Sequence, residues 1–310
     1  MKKLLAVSAA IPLVLAGCAS GATGDDDAAV TVTAEVYPLA WLAEQVGGDR
    51  AAVTQLVPSD AAAHGYELSP AEVDRLGRAD LVVLVTSLTA AVDDAVAANP
   101  PGAVLDVAEV LPTRPATAHD HADEDEHADE DEHTDEETAG GIDSHMWLSP
   151  AALPTLVDAL VAELSRLDPD GTEAYEANGA DLTSRLEDLD GAYRTGLTGC
   201  ARDTVIVTHP AFGYLADEYG FEQVGISGVD EDTEPSPARL AEVGDVVRET
   251  GATMILFGST SSPKTADVLA DELGLRTGVL STITSVAEGE DYLDVAEQNL
   301  ETLRLALGCS

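Results

Sequence analysis

Residues 204–226 read TVIVTHPAFGYLADEYGFEQVGI. Thr204–Thr208 is a short β-branched run closed by His209 and Pro210, the profile of a buried strand that ends in a loop. Gln223–Ile226 is a second such run, and Thr253–Phe257 and Thr277–Leu280 continue the series. The first half carries the same scheme in Val30–Val36, Val53–Val57, Leu81–Val85 and Val104–Val107, with helical patterns such as Leu39–Val46 and Ala71–Leu76 between the runs. Strand–helix alternation of this kind specifies an α/β fold of mostly parallel sheets flanked by helices. Such sheets take their ligands at the carboxyl ends of the strands.

The two series are separated by a long helical stretch. Ser149-Pro150 reads as the start of one helix, with Ser149 as N-cap and Pro150 in the first turn, running to about Leu167. Beyond Asp168-Pro169-Asp170-Gly171 a second helix runs to about Leu197, and Leu182, Leu186, Leu189 and Tyr193 share one face of it. Gly179 and Gly191 weaken this helix without breaking it. The expected organisation is an N-terminal lobe over 30–170, a rigid linking helix over 171–198 and a C-terminal lobe over 199–310.

Ahead of the first strand, Lys2 and Lys3 precede the apolar stretch Leu4–Leu15, which is too short to span a bilayer. Leu15-Ala16-Gly17-Cys18 follows and is similar to a bacterial lipobox, in which cleavage exposes a cysteine for lipid attachment. The reading is an export signal over 1–17, lipidation at Cys18, a tether over 18–29 and anchoring at the outer face of the cell membrane. The alternative is a plain secretory signal with an incidental cysteine. Cys200 and Cys309 then form an even pair in an exported chain, where disulfides persist. Free thiols and zinc ligation are the alternatives, although neither residue has the short-spaced partner of a structural zinc site.

The formal charge is -43, and Lys264 is the one lysine after Lys3. Such a chain repels nucleic acid and anionic lipid headgroups and attracts cations, although compositional bias of a GC-rich or salt-adapted organism also gives an acidic surface. Much of the charge sits in residues 114–141, which read as a disordered acidic loop within the first lobe. Its core, HDHADEDEHADEDEH from His119 to His133, repeats HADEDE at 121–126 and 127–132. His119, His121, His127 and His133 make it a candidate auxiliary metal-capturing loop; the alternative is a solvated linker.

The other three of the seven histidines stand alone. His64 follows the run Val53–Val57, His145 precedes a helix in DSHMWLSP (143–150), and His209 ends the run Thr204–Thr208. Each alone could cap a turn. Together they are three imidazoles on three loops, two of them at strand carboxyl ends, and this suits convergence on one transition-metal ion.

Beyond the histidines, the motifs VPSDAAAHGYELSP (57–70), DSHMWLSP (143–150), THPAFGYLADEYGF (208–221), EPSPARL (234–240) and SSPKTADVLADELG (261–274) run through the chain. From about Val30 to Cys309 the sequence resembles the metal-binding solute-binding lipoproteins of ABC importers, in the zinc-uptake (ZnuA-like) branch of the zinc/manganese cluster. The resemblance implies two α/β lobes joined by a long helix, with the metal in the cleft between them. It implies His64 and His145 as ligands from the first lobe and His209 from the second. It also implies Zn(II) as cargo in preference to Mn(II), which agrees with the nitrogen donor set. A monomer that hands its metal to an ABC permease is the expected assembly.

The chain departs from the family pattern at the fourth ligand position. Ser281 stands where many members carry Asp, Ala63 where some carry Glu, and Gly258 where relatives often carry Glu. Water completes a three-histidine zinc site well. Glu67, an acidic side chain of the loop, or Ser281, whose unactivated hydroxyl is a poor donor, are the other candidates for the fourth position. Three histidines and an open water position would also serve a zinc hydrolase, but the chain has no HExxH segment and no obvious general base beside the histidines. The expectation is therefore a binding protein and not an enzyme. A metal buffer or chaperone, an adhesin, and a relative that has lost its metal are the remaining readings.

Overall fold

The structure is a computed structural model, and it describes residues 28–116, 141–226, 237–258 and 263–310. The lipobox with Cys18, the tether up to Asp27 and the loop histidines His119, His121, His127 and His133 lie outside the described residues.

The first lobe is built on β1 (Val30–Ala34), β2 (Ala51–Gln55), β3 (Leu81–Leu84) and β4 (Val104–Asp106), in the spatial order β2-β1-β3-β4. The second repeats that order with β5 (Thr204–Val207), β6 (Glu222–Gly225), β7 (Met254–Phe257) and β8 (Arg276–Val279), arranged β6-β5-β7-β8. Every pairing is parallel, with registers such as Val32↔Val53 and Ile206↔Ile255. The central strands are covered on both faces, so β3, β5 and β7 are buried at every position and read as continuous apolar runs. In each sheet the chain reverses its winding beside the central strand, β1 or β5. This opens a crevice at the strand carboxyl ends.

Helices pack against the sheets for reasons visible in their sequences. In α1 (Tyr37–Gly47), Pro38 sits in the first turn and Leu39, Leu42, Ala43 and Val46 are buried. In α2 (Pro70–Arg78), Ser69 and Glu72 form a reciprocal capping box. In α10 (Tyr292–Leu307), Asp291 and Asp294 do the same. The remaining helices are α3 (Ala90–Ala98), α4 (Val107–Val110), α5 (Leu153–Leu167), α7 (Gly213–Tyr219), α8 (Pro237–Thr250) and α9 (Pro263–Leu273).

The long connector α6 (Thr172–Gly196) has 25 residues, or about 37 Å at ~1.5 Å per residue. Its buried face holds Leu182, Leu186, Leu189 and Tyr193, together with Tyr175 and Gly179. The helix serves both lobes in turn. Asn178 donates to the Val46 carbonyl of α1, Arg185 reaches Gln45 of the first lobe and Asp291 of the second, and the Tyr193 hydroxyl donates to the Ala296 carbonyl of α10. One apolar core runs from Val30 through α6 to Leu307. Across the lobes the rings of Trp41 and Tyr292 stack at 5.0 Å.

Cys200 and Cys309 form a disulfide. It lies beside backbone bonds from Ala201 and Arg202 to the carbonyls of Gly308 and Leu307. No described helix is long and apolar enough to cross a membrane.

The helix expected to open at Ser149-Pro150 opens later. Met146–Leu148 form a buried 3-10 turn, Ala152 N–H bonds the Ser149 carbonyl, and α5 starts at Leu153 with Ala152 as N-cap and Pro154 in its first turn. Ser-Pro carries the same local signal as a helix start. Here tertiary packing uses it otherwise, because Trp147, Leu148 and Ser149 are buried.

The two glycines of α6 differ in what surrounds them. A Cβ on Gly179 would lie 2.5 Å from Val161 Cγ2, so α5 and α6 meet closely there, whereas nothing lies within 4 Å of one on Gly191. Gly191→Ala is expected to stabilise the protein by about 0.5–1 kcal/mol. Gly179→Ala is expected to destabilise it by roughly 1–3 kcal/mol, and urea denaturation of the two variants should show these opposite signs.

Candidate metal centre

His209 lies two residues beyond β5, in the crevice of the second sheet. His64 lies on the loop that follows β2, where the Thr89 hydroxyl donates to the carbonyl of its neighbour Ala63. His145 immediately precedes the 3-10 turn Met146–Leu148. These three loops meet between the lobes. His64 Nε2 and His145 Nε2 are 3.4 Å apart, and His145 Nε2 and His209 Nε2 are 3.2 Å apart. One nitrogen from each ring lies within 4.8 Å of the other two. His145 and His209 are buried and His64 is half-buried.

The spacing fits a metal ion. Two nitrogens at ~2.0–2.1 Å from a tetrahedral zinc stand about 3.4 Å apart. The two shorter separations are already there.

The imidazole of His145 is oriented from behind. Its Nδ1 lies 2.9 Å from Asp143 Oδ1, which also accepts from the His145 backbone N–H at 3.1 Å. A proton on Nδ1 leaves the Nε2 lone pair facing the other two rings, as a ligand requires. Burial works to raise the Asp143 carboxyl. The hydrogen bonds from His145 and from Arg114 outweigh burial, so it stays below the usual carboxylate value.

The loop on the other side of His145 is tied to the second lobe. Trp147 Nε1 donates to the Thr282 carbonyl at 2.9 Å, and the Tyr292 hydroxyl donates to the Trp147 carbonyl at 2.6 Å.

Of the fourth-position candidates, Glu67 is exposed and its carboxylate does not join the three nitrogens. Ser281 is buried and its Oγ accepts from the Ile283 N–H at 3.0 Å, while its backbone N–H and carbonyl both bond the Asn299 side chain. Ile283 has φ 58, a costly conformation for a β-branched residue, and the Ser281 hydroxyl supports that turn. Among the described residues no carboxylate lies in the group of three.

Residues 32–306 match the family model for the zinc-uptake complex component A, periplasmic, ZnuA. The chain belongs to the ZnuA family. It is 34% identical over 313 residues to the high-affinity zinc uptake system protein ZnuA of Bacillus subtilis, covering 98% of this chain and 97% of that one. It is 32% identical over 322 residues to the zinc-binding lipoprotein AdcA of Streptococcus pneumoniae, covering 98% of this chain but 61% of AdcA.

Among solved structures of the family's kind, the Zn(II)-bound ZnuA-like domain of Streptococcus pneumoniae AdcA superposes with a TM-score of 0.73 at 30% identity, over 90% of this chain and 98% of that one. The laminin-binding protein Lmb of Streptococcus agalactiae, described as a bifunctional adhesin and metal transporter, gives a TM-score of 0.75 at 26% identity over 90% and 99% of the two chains. The two-lobed fold expected from the sequence agrees with these structures.

Several residues that shape the centre carry no signal in the sequence. Asp143, Trp147 and Tyr214 lie inside motifs that point to the family without revealing a role. Glu35, the residue after β1, is a lone acid in an apolar run, and in the structure it is almost wholly buried. Its Oε2 accepts from the Val85 N–H at 2.8 Å. Burial pushes its carboxyl from an ordinary 4.5 up to about 8, against the lowering effect of the hydrogen bond from Val85; Asp93 and Asp106 add to the rise.

The folded chain therefore holds a proton that the unfolded chain releases above 4.5, and this carboxyl makes stability fall as pH rises from about 4.5 to about 8. Glu35→Gln removes that slope. Relative to the unsubstituted chain, the variant should gain up to roughly 1.4 kcal/mol per pH unit across this window. Chemical denaturation at several pH values checks the difference.

Proposed function

We propose that this chain captures Zn(II) between its two lobes with His64, His145 and His209 and delivers it to an ABC permease for uptake. The observation that carries the reading is the convergence of three imidazole nitrogens, from loops on opposite sides of the cleft, at separations suited to one tetrahedral ion. The ZnuA family relationship supplies the transport context. Nitrogen donors favour zinc over manganese, which prefers harder oxygen ligands. Among the described residues no carboxylate joins the group, and water is the fourth ligand in this proposal.

Export and lipid attachment at Cys18 complete the proposal, with the acidic His-rich segment around His119–His133 raising the local zinc concentration. The family fold is that of a solute-binding protein, and binding and release, not catalysis, are what the centre performs.

A competitive Zn(II) and Mn(II) titration of residues 19–310 tests this, alongside the same chain lacking 119–137 and the His209→Ala variant. One tight zinc site is expected to survive the deletion and to disappear in His209→Ala. Loss of all tight binding with 119–137 would show that the cleft does not hold the metal, and would make the chain a loop-based zinc buffer.

A further inference from the structure

Arg114 is the last basic residue before the acidic segment, and its surroundings set it apart from a linker residue. The two ends of that segment are pinned together. Ala116 N–H bonds the Gly141 carbonyl, Asp143 N–H bonds the Arg114 carbonyl, and Pro115 and Ile142 form an antiparallel bridge. From this stem the Arg114 guanidinium reaches two carboxylates. Nη1 lies 2.9 Å from Asp143 Oδ2, and Nε lies 3.0 Å from Asp217 Oδ2 on α7. The guanidinium carbon lies 5.8 Å from the centre of the Tyr214 ring, also on α7. The Tyr214 hydroxyl accepts from the Arg114 N–H and donates to the Asp143 carbonyl at 2.7 Å. The carboxylate that holds His145 Nδ1 with one oxygen is thus held by Arg114 with the other.

We propose that Arg114 is a positioning residue for the metal centre: it fixes the Asp143 carboxylate, and so the His145 ring, and ties both to the helix that follows His209. The inference rests on the metal-binding reading given above. A planar guanidinium suits this role because one fork can serve two carboxylates in a set geometry, which a lysine ammonium cannot.

Gly213, at the start of α7, makes room for it. A Cβ there would run into the Arg114 guanidinium and stand 2.7 Å from Asp143 Oδ2. Arg114, Asp143 and Gly213 are therefore one unit contributed by both lobes. Asp217 is exposed, so its share of the tie is the weaker one.

The proposal has a distinguishing sign. Arg114 is a cation close to a cation site, so electrostatics alone would have its removal tighten zinc binding. Positioning requires the opposite.

The test is a competitive Zn(II) titration of residues 19–310 and of their Arg114→Gln, Gly213→Ala, Asp143→Asn and Arg114→Gln/Asp143→Asn variants. The measurements are made well below the apo melting temperature of each protein, so that unfolding does not enter. Arg114→Gln and Gly213→Ala are each expected to weaken zinc binding by roughly 10–100-fold. The double variant should bind no more weakly than Asp143→Asn alone, because Arg114 acts through that carboxylate. The Co(II)-loaded Arg114→Gln and Gly213→Ala variants should share an altered visible spectrum.

Unchanged or tighter zinc binding in Arg114→Gln and Gly213→Ala would overturn the proposal, as would additive losses in the double variant. The unsubstituted chain and His209→Ala, run in parallel, separate this failure from that of the metal centre itself. Tight binding that depends on His209 with no effect at Arg114 rejects only the positioning role.

Discussion

Two nitrogen–nitrogen distances, 3.4 Å from His64 to His145 and 3.2 Å from His145 to His209, govern what the rest of the molecule has to do. Three lone pairs aimed at one point suit an ion that accepts all three, and they do so only while the loops that carry them are held to within a fraction of an ångström. His64 and His209 sit after strands of different sheets, so neither lobe could define the centre alone. The apolar core that runs through both lobes, the stack of Trp41 on Tyr292 and the continuous α6 answer this constraint.

The segment around His145 shows how the constraint is met locally. Asp143 is bonded by Arg114 and by Tyr214 of α7 on one side of the histidine. Trp147 is bonded to Thr282 and Tyr292 on the other. His145 therefore sits on a loop fastened at both ends to the second lobe, the lobe that carries His209. The strained turn at Ile283, supported by Ser281, places the Thr282 carbonyl that Trp147 meets. Ser281 thus has a structural task in the turn that Trp147 meets. This is a physical reason for a hydroxyl to occur there.

Much of this was legible in the sequence, and the remainder was illegible for identifiable reasons. The strand runs were legible because parallel strands buried on both faces leave unbroken apolar runs. The inner face of α6 followed from the spacing of Leu182, Leu186, Leu189 and Tyr193. The three histidines stood out because no other histidine lies outside the acidic run. The start of α5 was misplaced because Ser149-Pro150 satisfies the local rule for a helix start while tertiary packing assigns it to a turn. Arg114 was invisible because its partners lie 29 and 103 residues away and it abuts a segment whose composition suggests only a linker. Glu35 was hidden because burial, not residue type, makes its carboxyl unusual.

The central claim is that three imidazoles and no protein carboxylate hold the zinc. X-ray absorption at the zinc edge, on the mature chain lacking 119–137 and loaded with one equivalent of Zn(II), tests it most directly. The account predicts a four-coordinate first shell with imidazole scattering from three histidines and one further light ligand at ~2.0–2.1 Å. A shell of oxygen donors with fewer than three imidazoles, or one containing sulfur, would contradict it.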